Sequence, residues 1–272
     1  MPNPTPSRLQ QPYSRKHARS AGFTDPRQIV LLADNLTRDY YTYKDEFDTV
    51  TVANNDYWSV SNTGAGAADP VKSLALGQPS CIFTTGGGNP GVSTLYGTDA
   101  AVPSGDNPFI YCRFRWPANV TAFYFNIGLV NVDTTKTTVV ISGLTAAAVP
   151  TAANDFTDGV VFSMNTGFTL TTPALSGVGT STAIAGVKVV NSAGTAYTPS
   201  AGAWVDLYLR ASVAGGYLEI YEDDVQIARH TVASGPDTAK GLFPFILFGD
   251  LGTSKVVHLT TYKMVRERNY TP

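Results

Sequence analysis

The chain has 272 residues, 43% of them hydrophobic and 15% charged, with a formal net charge of −2. That length suits one large β-domain with an ample core, and the near-neutral balance excludes a global electrostatic draw toward nucleic acid or anionic membrane. The charged fraction lies well below the usual quarter, and Thr, Ala, Gly and Ser take its place, which leaves a hydroxyl-rich surface suited to protein contact or to sugars.

Residues 1–44 have no apolar period. Pro2, Pro4, Pro6 and Pro12 hold the first dozen residues extended. Arg8, Arg15, Lys16, Arg19, Arg27, Arg38 and Lys44 stand against Asp25, Asp34 and Asp39, a net +4 that leaves −6 for the rest of the chain. The expectation is an extended basic arm that orders only against a partner. Tyr13, Phe23, Leu31 and Leu32 would anchor it, with Arg15, Lys16, Arg19 and Arg27 as its polar contacts. A tail without fixed structure is the alternative. The opening MPNPTPSRLQQPYSRKHARS has no apolar h-region, and no stretch approaches the roughly 18 apolar residues of a membrane span. A soluble product that is not conventionally secreted is expected.

From residue 45 to 272 the pattern is that of strands in a single sandwich domain. Phe47–Val52 alternates, and Asn54-Asn55-Asp56 turns it into Tyr57–Val60. A loop rich in Gly, Ala and Asp leads to Ser80–Thr84, and Gly86-Gly87-Gly88-Asn89-Pro90-Gly91 connects that strand irregularly to Val92–Tyr96. In Phe109–Trp116, Ile110, Cys112, Phe114 and Trp116 share one face, opposite Tyr111, Arg113 and Arg115. Thr121–Val130 is near-continuously apolar, as in a central strand covered on both faces. Further strands are expected at Gly159–Met164, Phe168–Leu170 and Ala183–Val190.

Residues 203–230 form the clearest unit. Val205, Leu207 and Leu209 alternate with Asp206, Tyr208 and Arg210; Gly215-Gly216 breaks the run; Tyr217–Tyr221 and Val225–Arg229 flank Asp223-Asp224 as a two-residue turn. Phe243–Phe248 and a strand from Lys255 to Val265 complete the set. No run longer than about two turns has a helical period. About a dozen short strands separated by turn residues mean an all-β sandwich.

Chemistry-bearing patterns are sparse. Glu219 and Glu222 are three residues apart, so on a strand they point to opposite faces. His17, His230 and His258 have no metal-ligand spacing, and Cys81 and Cys112 are too few for a zinc site. No metal or cofactor is expected. The two thiols are read as buried and free, with one inter-strand disulfide as the alternative. Gly86-Gly87-Gly88 lacks the lysine of a phosphate cradle, and no Gly-x-Ser-x-Gly elbow occurs. Tyr57, Tyr96, Tyr111 and Tyr208 are the candidates for stacking on a sugar; Trp58 and Trp116 fit the core at least as well.

The tryptophan-led strand from Trp204, the Leu218-Glu219-Ile220-Tyr221 strand, the acidic turn and the short Val/Ile strand after it resemble the laminin-G and concanavalin A-like jelly-roll β-sandwiches. Retaining hydrolases of that group carry a glutamate-x-aspartate-x-x-glutamate strand, which this sequence lacks, so a non-enzyme is expected. Asp56–Val60, Phe125–Leu129 and Tyr217–Tyr221 are similar to segments of concanavalin-like structural proteins of tailed bacteriophages, over roughly residues 45–268. That resemblance implies a capsid decoration or cement protein on the outer capsid surface of a virion, made in the host cytoplasm. Its arm would cross neighbouring major capsid proteins and other virion proteins, with the chain as a homo-oligomer such as a trimer. A tail or baseplate protein that binds host glycan is the main alternative, and a single jelly-roll coat protein a further one. At +4 over 44 residues the arm neutralises few phosphates, so no specific nucleic acid is expected as a partner.

Overall fold

The computed structural model describes residues 40–47, 58–74, 76–87, 91–97, 102–103, 108–121, 123–130, 159–165, 174–179, 185–188, 199–212, 217–231, 241–250 and 252–267. Among them are strands and no helix: β1 (Tyr40–Asp45), β2 (Trp58–Thr63), β3 (Ala68–Ser73), β4 (Ser80–Thr84), β5 (Gly91–Gly97), β6 (Val102–Pro103), β7 (Phe109–Arg115) and β8 (Phe123–Val130). The second half supplies β9 (Gly159–Asn165), β10 (Ala174–Gly179), β11 (Ala185–Lys188), β12 (Trp204–Ser212), β13 (Tyr217–Glu222), β14 (Val225–Thr231), β15 (Gly241–Asp250) and β16 (Val256–Glu267). Sheet A has the order β14-β13-β12-β7-β16-β4-β3, with β1 also on β16; sheet B has the order β11-β10-β9-β8-β15-β5-β2, with β6 also on β15. Every pairing is antiparallel.

Strand β16 is the spine of sheet A. Of its 12 residues, those from His258 to Val265 pair with β7 on one side, while on the other its first part pairs with β4 and its last part with β1. Residues 40–44, which the sequence places in the arm, thus belong to a sheet: Tyr40 lies opposite Glu267 and Asp45 opposite Tyr262. The anchors and basic contacts expected of the arm, Tyr13 to Leu32, lie outside the described residues.

Alternation along the strands creates the core. Ile110, Cys112, Phe114, Val205, Leu207 and Leu209 of sheet A meet Phe123, Phe125, Ile127, Leu129, Ile246 and Phe248 of sheet B, all buried. Two apolar faces packed this way remove their whole inner surface from water. An aromatic cluster lies at the centre. Phe248 is stacked on Phe125 at 4.8 Å and meets Phe83 of the opposite sheet edge-on at 4.8 Å. Phe114 packs edge-on to Trp116 at 4.6 Å. Trp58 is core, as the sequence allowed; its indole Nε1 donates to Asp45 Oδ2 at 2.8 Å, and the Phe47 amide donates to Asp45 Oδ1 at 2.7 Å. Cys81 and Cys112 are free and buried, and burial raises both thiols well above their ordinary range.

Three local outcomes bear on the sequence expectations. The turn at Asp223-Asp224 has φ of 43° and 75°, the double left-handed conformation that suits a two-residue hairpin. The loop foreseen between residues 61 and 79 contains a strand, β3. Its Ala-Asp-Pro-Val-Lys-Ser composition hides it, because proline is tolerated on an edge strand, and β3 is an edge of sheet A. Near residue 174, the expected Phe168–Leu170 lies outside the described residues, and the strand present is β10.

Gly86 and Gly91, at the two ends of the glycine-rich connection, are tightly packed. A Cβ on Gly91 would stand 2.3 Å from the Gly86 carbonyl oxygen, and one on Gly86 would stand 2.2 Å from the Ala65 oxygen. Both obstacles are backbone, which cannot swing aside as a side chain can. Gly91→Ala is therefore expected to destabilise by about 3 kcal/mol, at the upper end of overpacking costs. The urea midpoint measures it, with Gly87→Ala as the control, since a Cβ on Gly87 meets nothing within 4 Å.

Candidate binding face on sheet A

The sequence candidates divide between the two sheets. Tyr111 on β7 and Tyr208 on β12 are directly opposite in the antiparallel register, on the face of sheet A that points away from the core. Their rings lie 4.9 Å apart at 32°. Tyr96 is on β5 opposite Phe245, next to core Leu95, so it faces outward from the other sheet. Tyr57 lies outside the described residues.

Both tyrosines are half-buried, with their neighbours alternating into the core. The Tyr111 hydroxyl donates to Asp206 Oδ1 at 2.9 Å. Burial, and then that hydrogen bond, push the Tyr111 phenol well above its ordinary value. It therefore stays protonated and keeps its donor fixed on Asp206. The other oxygen of Asp206 accepts from Arg113 Nη1 at 3.4 Å, and the Arg113 guanidinium lies over the Trp204 ring at 5.8 Å. Asp223 Oδ1 accepts from the Asp206 amide at 2.9 Å and the Asp223 amide donates to the Asp206 carbonyl at 2.9 Å, so the hairpin turn braces this part of β12.

Three transverse rows result. Tyr111 faces Tyr208, Arg113 faces Asp206, and Arg115 faces Trp204. Successive rows are two residues apart, roughly 6.7 Å, so the aromatic pair and the indole lie roughly 13 Å apart along the strands. At the Tyr208 end, Tyr221 continues the row on β13. Next to it, Arg210 pairs with Glu219 at 3.5 Å and lies 5.4 Å from the Phe109 ring. At the Trp204 end, His258 of β16 faces Arg115.

The sequence marked Tyr111 and Tyr208 but not the charged row between the aromatics. The cationic side of Phe109–Trp116 was visible as Arg113 and Arg115; the signal that it belonged to a site was the Asp206-Tyr208 alternation of β12, and only the register joins the two.

His258 is half-buried, with Ser80 Oγ 3.4 Å from its Nδ1. Burial, and then the Arg115 charge, lower its pKa below the ordinary 6.5. The unfolded chain takes up this proton near 6.5 while the folded one resists until lower pH. Stability is thus lost as pH falls from that value toward the lower folded one, and is regained above it. His258→Asn should flatten this dependence, and urea midpoints of variant and parent at pH 7 and pH 5 measure it.

No family model matches the sequence, and no curated protein matches it. Among solved structures, peanut lectin aligns with a TM-score of 0.53 and 10% identity, over 84% of this chain and 97% of that one. The fold is a concanavalin A-like jelly-roll β-sandwich. The carbohydrate recognition domain of Emp47p aligns with a TM-score of 0.51 and 10% identity, covering 84% of this chain and 97% of its own. A Bacillus licheniformis β-glucanase aligns with a TM-score of 0.48 and 12% identity, over 84% of this chain and 98% of that one. At these identities the likeness to peanut lectin and to the Emp47p domain is one of fold.

Proposed function

We propose that this protein binds glycan, without catalysis, on the outer face of sheet A. The observation that carries the proposal is the facing pair Tyr111 and Tyr208, the first held by Asp206, followed along the strands by Arg113 and Trp204. Sugar rings offer apolar C–H faces and hydroxyl edges. Half-buried aromatics take the first, and adjacent fixed charges take the second.

Hydrolysis is disfavoured by spacing. Glu219 faces Arg210, four residues along β12 from Asp206, hence roughly 13 Å away. Paired carboxylates in glycosidases stand about 5–9.5 Å apart. Asp223 is occupied with the β12 backbone. The carbohydrate recognition domain of Emp47p and peanut lectin share the fold and make sugar binding a reasonable use of it. On a virion tail or baseplate, the setting considered from the sequence, such a face would meet host-surface glycan. A capsid-decoration role would use the expected arm contacts, Tyr13 to Leu32, for attachment, and these lie outside the described residues.

The full chain applied to a glycan array should retain a subset of sugars, and Tyr208→Ala should lose them. An array on which the parent protein binds nothing would overturn this function.

A further inference from the structure

We infer that the ligand of this face is an acidic glycan, one bearing a carboxylate or sulfate. The inference rests on the glycan-binding function proposed above and adds the chemical class. On the outer sides of β7 and β12, Arg113 and Arg115 stand against Asp206, while Arg210 is paired with Glu219. Arg115 has Trp204 opposite it on β12 and His258 opposite it on β16 rather than a carboxylate, which favours an anion locally.

Arg113 and Arg115 are the specific groups. They are two residues apart on one strand, so both side chains leave the same face from Cα atoms about 6.7 Å apart. The Arg113 side chain is 46% exposed, and its ion pair with Asp206 is a single long contact of 3.4 Å. Asp206 is divided: its other oxygen accepts the shorter Tyr111 bond of 2.9 Å. Arg113 therefore keeps most of its donors for a ligand. Arg115 donates Nε to the Gly202 carbonyl at 2.8 Å, which orients the group; among the described residues its terminal amino groups have no partner. A planar donor fork fixed at one nitrogen and open at two matches a carboxylate or sulfate oxygen pair.

Position adds to charge. Arg113 lies between the tyrosine pair and Trp204, and Arg115 lies beside Trp204, so a sugar stacked at either end carries its acidic substituent over an arginine. His258 beside Arg115 is held toward its neutral form, so the positive charge at this end is that of Arg115. A nucleic acid would also meet aromatics and arginines, but its regular phosphates call for a longer basic track than this one short face.

The test uses the full chain and matched probes: trigalacturonate and its methyl ester, sulfated and unsulfated galactan, sialyllactose and lactose. At least one acidic member should bind about tenfold tighter than its neutral partner, and raising salt should weaken it. Arg113→Gln with Arg115→Gln should abolish the preference while the circular dichroism spectrum and melting temperature hold. Carboxylate and sulfate pairs identify which anion is taken. If neutral sugars bind and their acidic counterparts bind no better, the acidic class is wrong while glycan binding stands. If acidic sugars bind and the double variant binds them equally, the arginine site is wrong. Tighter binding of an oligothymidylate than of any sugar would overturn both the class and the function, as would no binding to any probe or array sugar.

Discussion

Phe248→Ala should lower the stability of the sandwich by about 4 kcal/mol, within the range for removing a buried phenylalanine. Phe248 is fully buried on β15 and touches rings from both sheets: Phe125 at 4.8 Å and Phe123 at 6.1 Å in its own, Phe83 at 4.8 Å and Phe114 at 6.1 Å in the other. Truncation removes the transfer free energy of the ring. It also leaves a cavity that the surrounding rings cannot fill, because each belongs to a strand fixed by pairing on both sides. Set against a total stability of about 5–15 kcal/mol, this is a large fraction. The melting temperature should fall by about 10 °C. Phe248→Leu, which keeps most of the volume, should cost about 1.5 kcal/mol. An alanine variant within 1 kcal/mol of the parent would show that the sheets do not meet through this ring.

The second large effect concerns binding. Tyr208→Ala is expected to weaken glycan affinity about 30-fold, the loss of roughly 2 kcal/mol typical of an aromatic anchor. Tyr208 lies opposite Tyr111 on an outward face, so its loss removes stacking area and the ring beside Tyr111. Tyr96→Ala is the control. That residue is a half-buried tyrosine too, but it belongs to sheet B and faces the other way. Calorimetric titration of a sugar retained on the array separates the two. Equal losses would place the site elsewhere, and loss in Tyr96→Ala alone would transfer it to sheet B. Tyr111→Phe is intermediate: the ring stays, but the hydrogen bond that fixes Asp206 is gone.

Much of the fold was legible because alternation is local. In β7 and β12 the inward residues Ile110, Cys112, Phe114, Val205, Leu207 and Leu209 could be assigned to one face from period alone, and all are buried. The acidic hairpin turn was equally legible, since left-handed φ at two successive positions is a local preference of Asp. Strand β3 was not legible, because a Pro-containing edge strand has little intrinsic signal and is held by its pairing with β4. The candidate face was legible only in parts. Tyr111 and Asp206 are 95 residues apart in sequence, and nothing in either strand indicates that they are neighbours.

The sequence by itself determined the all-β class, the residues that face inward, the turn chemistry and the scarcity of catalytic or metal-binding patterns. These follow from steric and solvation preferences that act over a few residues. Tertiary structure alone decided which strands share a sheet. It divided the tyrosine candidates, with Tyr111 facing Tyr208 on sheet A and Tyr96 on sheet B, and aligned Arg113 with Asp206 and Arg115 with Trp204. Register is a long-range property: it is chosen by the combined burial of two whole sheets, so a site built across strands exists only once that choice is made.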